Sequence, residues 1–145
     1  QEETMYIPGT DGQKMSKSRN NFINIFLDDK ALLKQIKSIE TDSTPLEEPK
    51  NPDTCNVFGL YKLLGSEEEI AQLKAKYLAG NYGFGHAKQA LYDLITEKFK
   101  TEREKYNYYI NNLEEVDKLL FDGAAKAGKV ADGGLKRVRE KLGFM

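Results

Sequence analysis

Cysteine occurs once in the 145 residues, as Cys55, histidine once, as His86, and tryptophan not at all. A lone cysteine excludes an intrachain disulfide and a cysteine-based zinc cluster. One histidine beside it adds too few ligands for a structural metal site. No apolar run approaches the roughly 18 residues that a membrane-spanning helix requires. Charge of one sign is missing too: 22 Lys and Arg against 23 Asp and Glu leave a formal net charge of −1. A global basic field for nucleic acid is therefore excluded. The sparse cysteine fits a reducing, cytoplasmic setting.

What is present suits a soluble helical protein. Apolar residues make up 39% of the chain, aromatics 10% and charged residues 31%, with 4 prolines. That is enough for the core of one ordinary domain. Charge is unevenly distributed. Residues 40–53 carry Glu40, Asp42, Glu47, Glu48 and Asp53 against the single base Lys50. Residues 123–145 carry Lys126, Lys129, Lys136, Arg137, Arg139 and Lys141 against Asp132 and Glu140. Local polarity says more than the total.

The most informative stretch is Lys14-Met15-Ser16-Lys17-Ser18, within Pro8-Gly9-Thr10-Asp11-Gly12-Gln13 and Arg19-Asn20-Asn21. Two lysines three apart, interleaved with hydroxyls and set behind a Gly-rich turn, suit a mobile anion clamp. Lysine acts there as a flexible point charge on phosphate oxygens, and serine hydroxyls and loop N–H groups add donors. The bland reading is a solvated surface loop with three positive charges.

The string resembles the signature loop of class I aminoacyl-tRNA synthetases. With Asp11-Gly12 before it and Asn20-Asn21 after it, the loop is similar to those of the tryptophanyl and tyrosyl enzymes. Further segments resemble the tryptophanyl family: Ile39-Glu40-Thr41-Asp42-Ser43-Thr44, Val57-Phe58-Gly59-Leu60-Tyr61, Tyr77-Leu78-Ala79-Gly80-Asn81-Tyr82-Gly83-Phe84-Gly85, and the tail from Asp122 to Ala127 with Val138 to Gly143. The resemblance implies ATP-dependent activation of tryptophan and its transfer to tRNA(Trp). It assigns catalysis to Lys14 and Lys17, and ATP binding to Lys14, Met15, Ser16, Lys17 and Ser18, with Mg²⁺ accompanying the nucleotide. It further implies a homodimer formed through a catalytic domain. The family's first signature, His-Ile-Gly-His or a close variant, is missing, and His86 lies far downstream. The chain is therefore expected to be a C-terminal piece, inactive and free of cofactor by itself.

Periodicity gives the rest. A strand-like Met5-Tyr6-Ile7-Pro8 is expected to be disordered or rearranged without sheet partners, and Phe22–Phe26 alternates apolar and polar residues. Asp28 caps a helix to about Ile39. Residues 40–53, with Pro45, Pro49 and Pro52, read as a solvated acidic loop. Asp53 or Thr54 caps a second helix stopped by Gly65. Ser66 and Glu69 form a capping-box pattern for a third helix ending at Gly80. A fourth is expected over Phe84–Asn111, burying Ala87, Leu91, Leu94, Ile95, Phe99, Tyr106 and Ile110. A fifth starts near Asn112, with a break near Gly133 and a last short helix beyond it.

Cys55 and His86 read as packing and structural residues rather than chemical groups. Tyr106 and Tyr109 read as semi-buried, although with Tyr108 they could stack on bases. The expected fold is all-α: about five or six helices in a small bundle, preceded by a remnant strand and the loop. Residues 1–26 are assigned to the edge of a catalytic domain and 27–145 to a helical anticodon-binding domain. Two alternatives stand beside this: an inert helical RNA- or protein-binding module, and the equivalent part of a tyrosyl enzyme.

Overall fold

Asp28 opens the first helix as the sequence demands: its carboxylate accepts the Ala31 N–H at 2.9 Å, one of the donors a helix start leaves unpaired. A computed structural model describes residues 6–144, and over these the chain forms six helices. They are α1 (Asp29–Lys37), α2 (Asn56–Leu64), α3 (Glu67–Ala79), α4 (Phe84–Lys98), α5 (Lys100–Asn111) and α6 (Leu113–Lys141). Contacts divide the chain into two units, residues 1–103 and 104–145.

In the first unit, α4 packs against α1 and α2. Its inner stripe Ala87, Leu91 and Ile95 meets Leu32, Ile36 and Ile39 from the α1 side, and Val57, Phe58, Leu60 and Tyr61 of α2. Tyr77 of α3 is fully buried, edge-on to Phe58 with ring centroids 5.4 Å apart. Its hydroxyl lies 3.4 Å from Cys55 Sγ, and burial, then that contact, pushes its pKa up. Two lysines of α4 close the open ends of its neighbours. Lys88 Nζ donates to Lys37 O at the end of α1 at 2.9 Å, and Lys98 Nζ donates to Leu64 O at the end of α2. Cations there satisfy orphan carbonyls and oppose the helix dipole.

The acidic loop is more ordered than its composition suggests. Lys50 is only 2% exposed. Its ammonium donates to the carbonyls of Pro45 (2.9 Å), Leu46 (3.3 Å) and Glu48 (3.1 Å) and sits 5.4 Å from the centroid of Phe84. Its backbone N–H donates to Tyr77 O at 2.8 Å. The loop thus wraps a buried cation and is tied to the end of α3.

Several expectations need correction. Met5 falls outside the described residues, and Pro8 makes only an isolated antiparallel bridge with Lys14. The alternating Phe22–Phe26, for which no element was expected, forms no strand: the Gln35 side chain pairs with its backbone instead. Its Oε1 accepts Asn24 N–H at 2.8 Å and its Nε2 donates to Phe22 O at 2.7 Å. Neither Asp53 nor Thr54 caps α2. Cys55 holds the N-cap position without a side-chain bond, because Asp53 is drawn into a turn in which its N–H donates to Asn51 Oδ1 at 2.9 Å.

The expected 84–111 helix is interrupted at Phe99 (φ −103°, ψ 19°). Phe99 packs on the core, and Arg103 binds Ile25 O and, at 2.5 Å, Asp29. The second unit begins after Arg103, and there Tyr106 (42%) and Ile110 (52%) are exposed rather than buried. Tyr109 is exposed as well.

In the second unit α6 runs 29 residues without the break expected at Gly133. Helix propagation is cooperative once a turn has formed, and an Ala-rich stretch precedes the glycines. The Arg137 guanidinium lies over Gly133 and Gly134. The helix stops in a Schellman arrangement: Phe144 N–H donates to Arg139 O at 2.9 Å and Gly143 N–H to Glu140 O at 3.3 Å.

Two glycines of the first unit should respond oppositely to alanine. Gly80 has φ +74°, and an added Cβ would lie 2.5 Å from Glu47 O. Gly80→Ala is expected to cost about 1–3 kcal/mol. Gly59 lies inside α2 with nothing within 4 Å of the added atom, so Gly59→Ala should stabilise by about 0.4–1 kcal/mol. Urea unfolding midpoints of the two variants check both signs.

Candidate functional site

The signature loop has a rigid base and exposed tips. Its base begins with a tight turn, Gly12 N–H to Gly9 O at 3.1 Å and Gly9 N–H to Gln13 O at 2.7 Å. Met15 N–H then returns to Ile7 O at 2.8 Å. A second turn is closed by Asn20 N–H to Lys17 O at 3.1 Å. Asn20 there takes φ +53°, a conformation Asn tolerates better than most residues.

Asn21 holds these pieces together and is 2% exposed. Its Nδ2 donates to Asp11 Oδ1 at 2.7 Å and to Lys14 O at 3.1 Å. Its Oδ1 accepts Ser16 N–H at 2.8 Å, and its backbone O accepts Thr10 N–H at 2.8 Å. Gly9 permits this close approach: a Cβ there would lie 2.5 Å from the Asn21 side chain. The loop is also fastened to the helices. Glu40 N–H donates to Thr10 O at 2.8 Å, and Asn56 Nδ2, at the first residue of α2, donates to Glu40 O at 3.1 Å.

The residues singled out in the sequence fall on the accessible side. Lys14, Lys17, Ser18 and Arg19 are exposed, and Met15 and Ser16 half-buried. The Ser16 and Ser18 hydroxyls bond each other at 2.7 Å, so they shape the loop and retain lone pairs and a proton for a ligand. Three cationic side chains on a fixed backbone turn can bind a polyanion without a folding cost at each encounter. Among the described residues no three His, Cys, Asp or Glu side chains are grouped to hold a metal ion, and no helix is long and apolar enough to cross a membrane.

His86 is exposed beside the Tyr82 ring, centroids 5.7 Å apart. Cys55 is buried against Tyr77. Neither joins the loop. What sequence reading missed is Asn21, Asp11 and Asn56 as the loop's supports. Their only signal was an Asp-Gly turn and a terminal Asn.

The Asn21 amide holds the Asp11 carboxyl below the ordinary carboxylate range; burial opposes it, and the backbone N–H groups of Gln13 and Asp11 itself lower it further by less. A folded pKa below the unfolded value of about 3.9 means stabilisation fully present above that pH. It is lost as pH falls through the folded pKa. NMR titration should find Asp11 ionising below the ordinary range, and Asn21→Ala should move it back up.

The comparisons with known proteins converge on this loop and the helices behind it. The family model for class I tRNA synthetases of the W and Y type matches residues 3–100. Tryptophan-tRNA ligase of Fusobacterium nucleatum subsp. nucleatum is 46% identical over 144 residues, which is 99% of this chain and 44% of that protein. The Campylobacter jejuni ligase is 44% identical over 143 residues, 99% of this chain and 45% of that protein. The solved Campylobacter jejuni tryptophanyl-tRNA synthetase superposes with a TM-score of 0.92 at 43% identity, over 96% of this chain and 45% of that one. The same enzyme complexed with ADP and tryptophan gives 0.91 at 43% identity, over 95% and 43%. This chain thus spans less than half the length of these relatives, and on the family match it belongs to the class I tRNA synthetases of the tryptophan and tyrosine type.

Proposed function

We propose that this chain is the C-terminal part of a tryptophan-tRNA ligase, supplying its pyrophosphate-stabilising loop and its anticodon-binding helices. The observation that carries the reading is a pinned loop presenting Lys14 and Lys17 to solvent, in a chain 44–46% identical to tryptophan-tRNA ligases over 99% of its length. That identity favours tryptophan over tyrosine. Residues 1–26 form the edge of the catalytic domain and 27–145 the helical domain. The setting is cytoplasmic, and dimerisation runs through the catalytic domain outside this chain.

In the reaction a tryptophan carboxylate oxygen attacks the α-phosphorus of ATP. The bond from that phosphorus to the bridging oxygen breaks, and pyrophosphate leaves. The aminoacyl group then passes to the 3′ end of the tRNA. Negative charge grows on the departing oxygens as the bond breaks. Lys17, assisted by Lys14, meets that charge, an interaction stronger in the transition state than in the ground state. Ser16, Ser18 and the backbone at Met15 shape the cradle. Among the described residues no carboxylate cluster suits Mg²⁺, which is taken to arrive on the nucleotide's own phosphates.

In the complete ligase, Lys17→Ala should lower the adenylation rate by roughly 10²–10³-fold with little change in tryptophan affinity. Lys14→Ala should cost less. Pyrophosphate exchange measures both; equal small effects, or a change confined to tryptophan affinity, would remove the loop from catalysis. The 145 residues alone should give no exchange, lacking the positioning that supplies about 7–11 kcal/mol in such reactions.

The tRNA contact is assigned to the basic end of α6. Arg137 and Lys141 are i, i+4 neighbours on the continuous helix, whereas Arg139 points elsewhere. Lys136 is paired with Glu140 at 3.9 Å. Each phosphate neutralised adds about 0.7–0.9 to the slope of log affinity against log salt. Changing Arg137 and Lys141 together to Ala should flatten that slope by about one or two contacts, and Arg139→Ala by little. Filter binding of the complete ligase and both variants at three salt concentrations measures this. Identical slopes would take the basic end of α6 out of the tRNA site.

A further inference from the structure

We propose that Asn21 is a positioning residue for the chemical step, setting where Lys17 stands without itself touching substrate. The proposal rests on the loop's reading as the pyrophosphate-stabilising element. Lys17 sits in the turn between Ser16 and Asn21, and both ends of that turn meet at Asn21: its side chain accepts the Ser16 N–H at 2.8 Å, while its own backbone ends the turn. The carbonyl of Lys14 is held by the same amide at 3.1 Å. Between these anchors Met15 N–H is fixed to Ile7 O at 2.8 Å. The backbone beneath both lysines is thus clamped from two sides.

Nothing else in the loop does this. The Asn21 Nδ2 protons are both used, on Asp11 and Lys14 O, and its Oδ1 is used on Ser16. Only a side chain with two donors and an acceptor in this shape satisfies all three. Asn21→Asp keeps the acceptor and the volume, loses both donations, and sets a carboxylate against Asp11 and a carbonyl. Asn21→Ala takes these bonds from the Ser16 N–H and the Lys14 carbonyl and leaves Asp11 Oδ1 with the Gln13 N–H alone.

A positioning role has a signature that a packing role lacks. If Asn21 acts through the lysines, removing it once Lys17 is gone should cost no more than the contribution of Lys14. In the complete ligase, Asn21→Ala should lower kcat for pyrophosphate exchange by roughly 10²-fold, the scale of a misplacement near 1 Å. KM for tryptophan should stay within about twofold, and the double variant with Lys17→Ala should be slower than Lys17→Ala alone by no more than Lys14→Ala costs.

Asp11→Asn combined with Asn21→Asp lets the amide at 11 donate to the carboxylate at 21. It restores the hydrogen bond between positions 11 and 21 with its direction reversed, and should recover part of the rate lost by Asn21→Asp alone. This swap carries the test even if Asn21→Ala fails to fold. Loss of tryptophan binding in step with kcat, multiplicative losses with Lys17→Ala, or no recovery in the swap would overturn the proposal. A slow Lys17→Ala beside a normal Asn21→Ala defeats the positioning role alone. A normal Lys17→Ala defeats the loop's catalytic reading itself.

Discussion

One buried amide organises the functional end of this molecule. Asn21 spends every hydrogen-bonding group of its side chain on the loop that precedes it. A buried amide left unpaired costs far more than each of its bonds contributes, so the arrangement is held together by what breaking it would expose. The same residue's carbonyl fixes Thr10, Thr10's carbonyl fixes Glu40, and Glu40's carbonyl is held by Asn56 at the start of α2. The loop is therefore carried on the helical body rather than hung from it. This fixed backbone contrasts with the exposed lysines above it. A cation on a fixed base loses only its own side-chain freedom when an anion arrives.

Lysine does three different jobs here, and environment alone separates them. Lys14 and Lys17 are exposed, which leaves them available as mobile charge. Lys88 and Lys98 lie along α4 and satisfy the last carbonyls of α1 and α2. They thereby fix the orientation of three helices with few residues. Burial lowers the pKa of Lys88, as desolvation of a cation requires. Lys50 is buried among three carbonyls and an aromatic face. It gives a Pro-rich acidic loop a defined centre. None of these roles is visible in composition, where all five count equally.

What was legible in the sequence was local. Asp28, the Ser66–Glu69 box and the stops at Gly65 and Gly80 depend on neighbours within a turn, and each stands as read. The lysine-serine loop was legible because its chemistry is written in consecutive residues. What was hidden depends on distant partners. Asn21 reaches residues five, seven and ten positions away, and nothing in an Asn at a loop's end announces that. Gln35 satisfies Phe22 and Asn24 from α1, so an alternating segment never needed a strand. Periodicity also continued past the point where the core ended. Tyr106 and Ile110 keep the phase of α4's stripe yet are exposed. The glycines of α6 failed as breakers because a long, nucleated helix absorbs their cost.

The central claim is that the loop's base is preformed while its tip is open. Amide hydrogen exchange on the 145-residue chain measures this directly, because it reads backbone bonds one residue at a time. The account expects Thr10, Met15 and Ser16 to be protected, each through a 2.8 Å bond. Ser18 and Arg19 should exchange at close to the rate of an open chain. Uniformly fast exchange from Gly9 to Asn21 would contradict it, leaving a loop with no frame for its lysines.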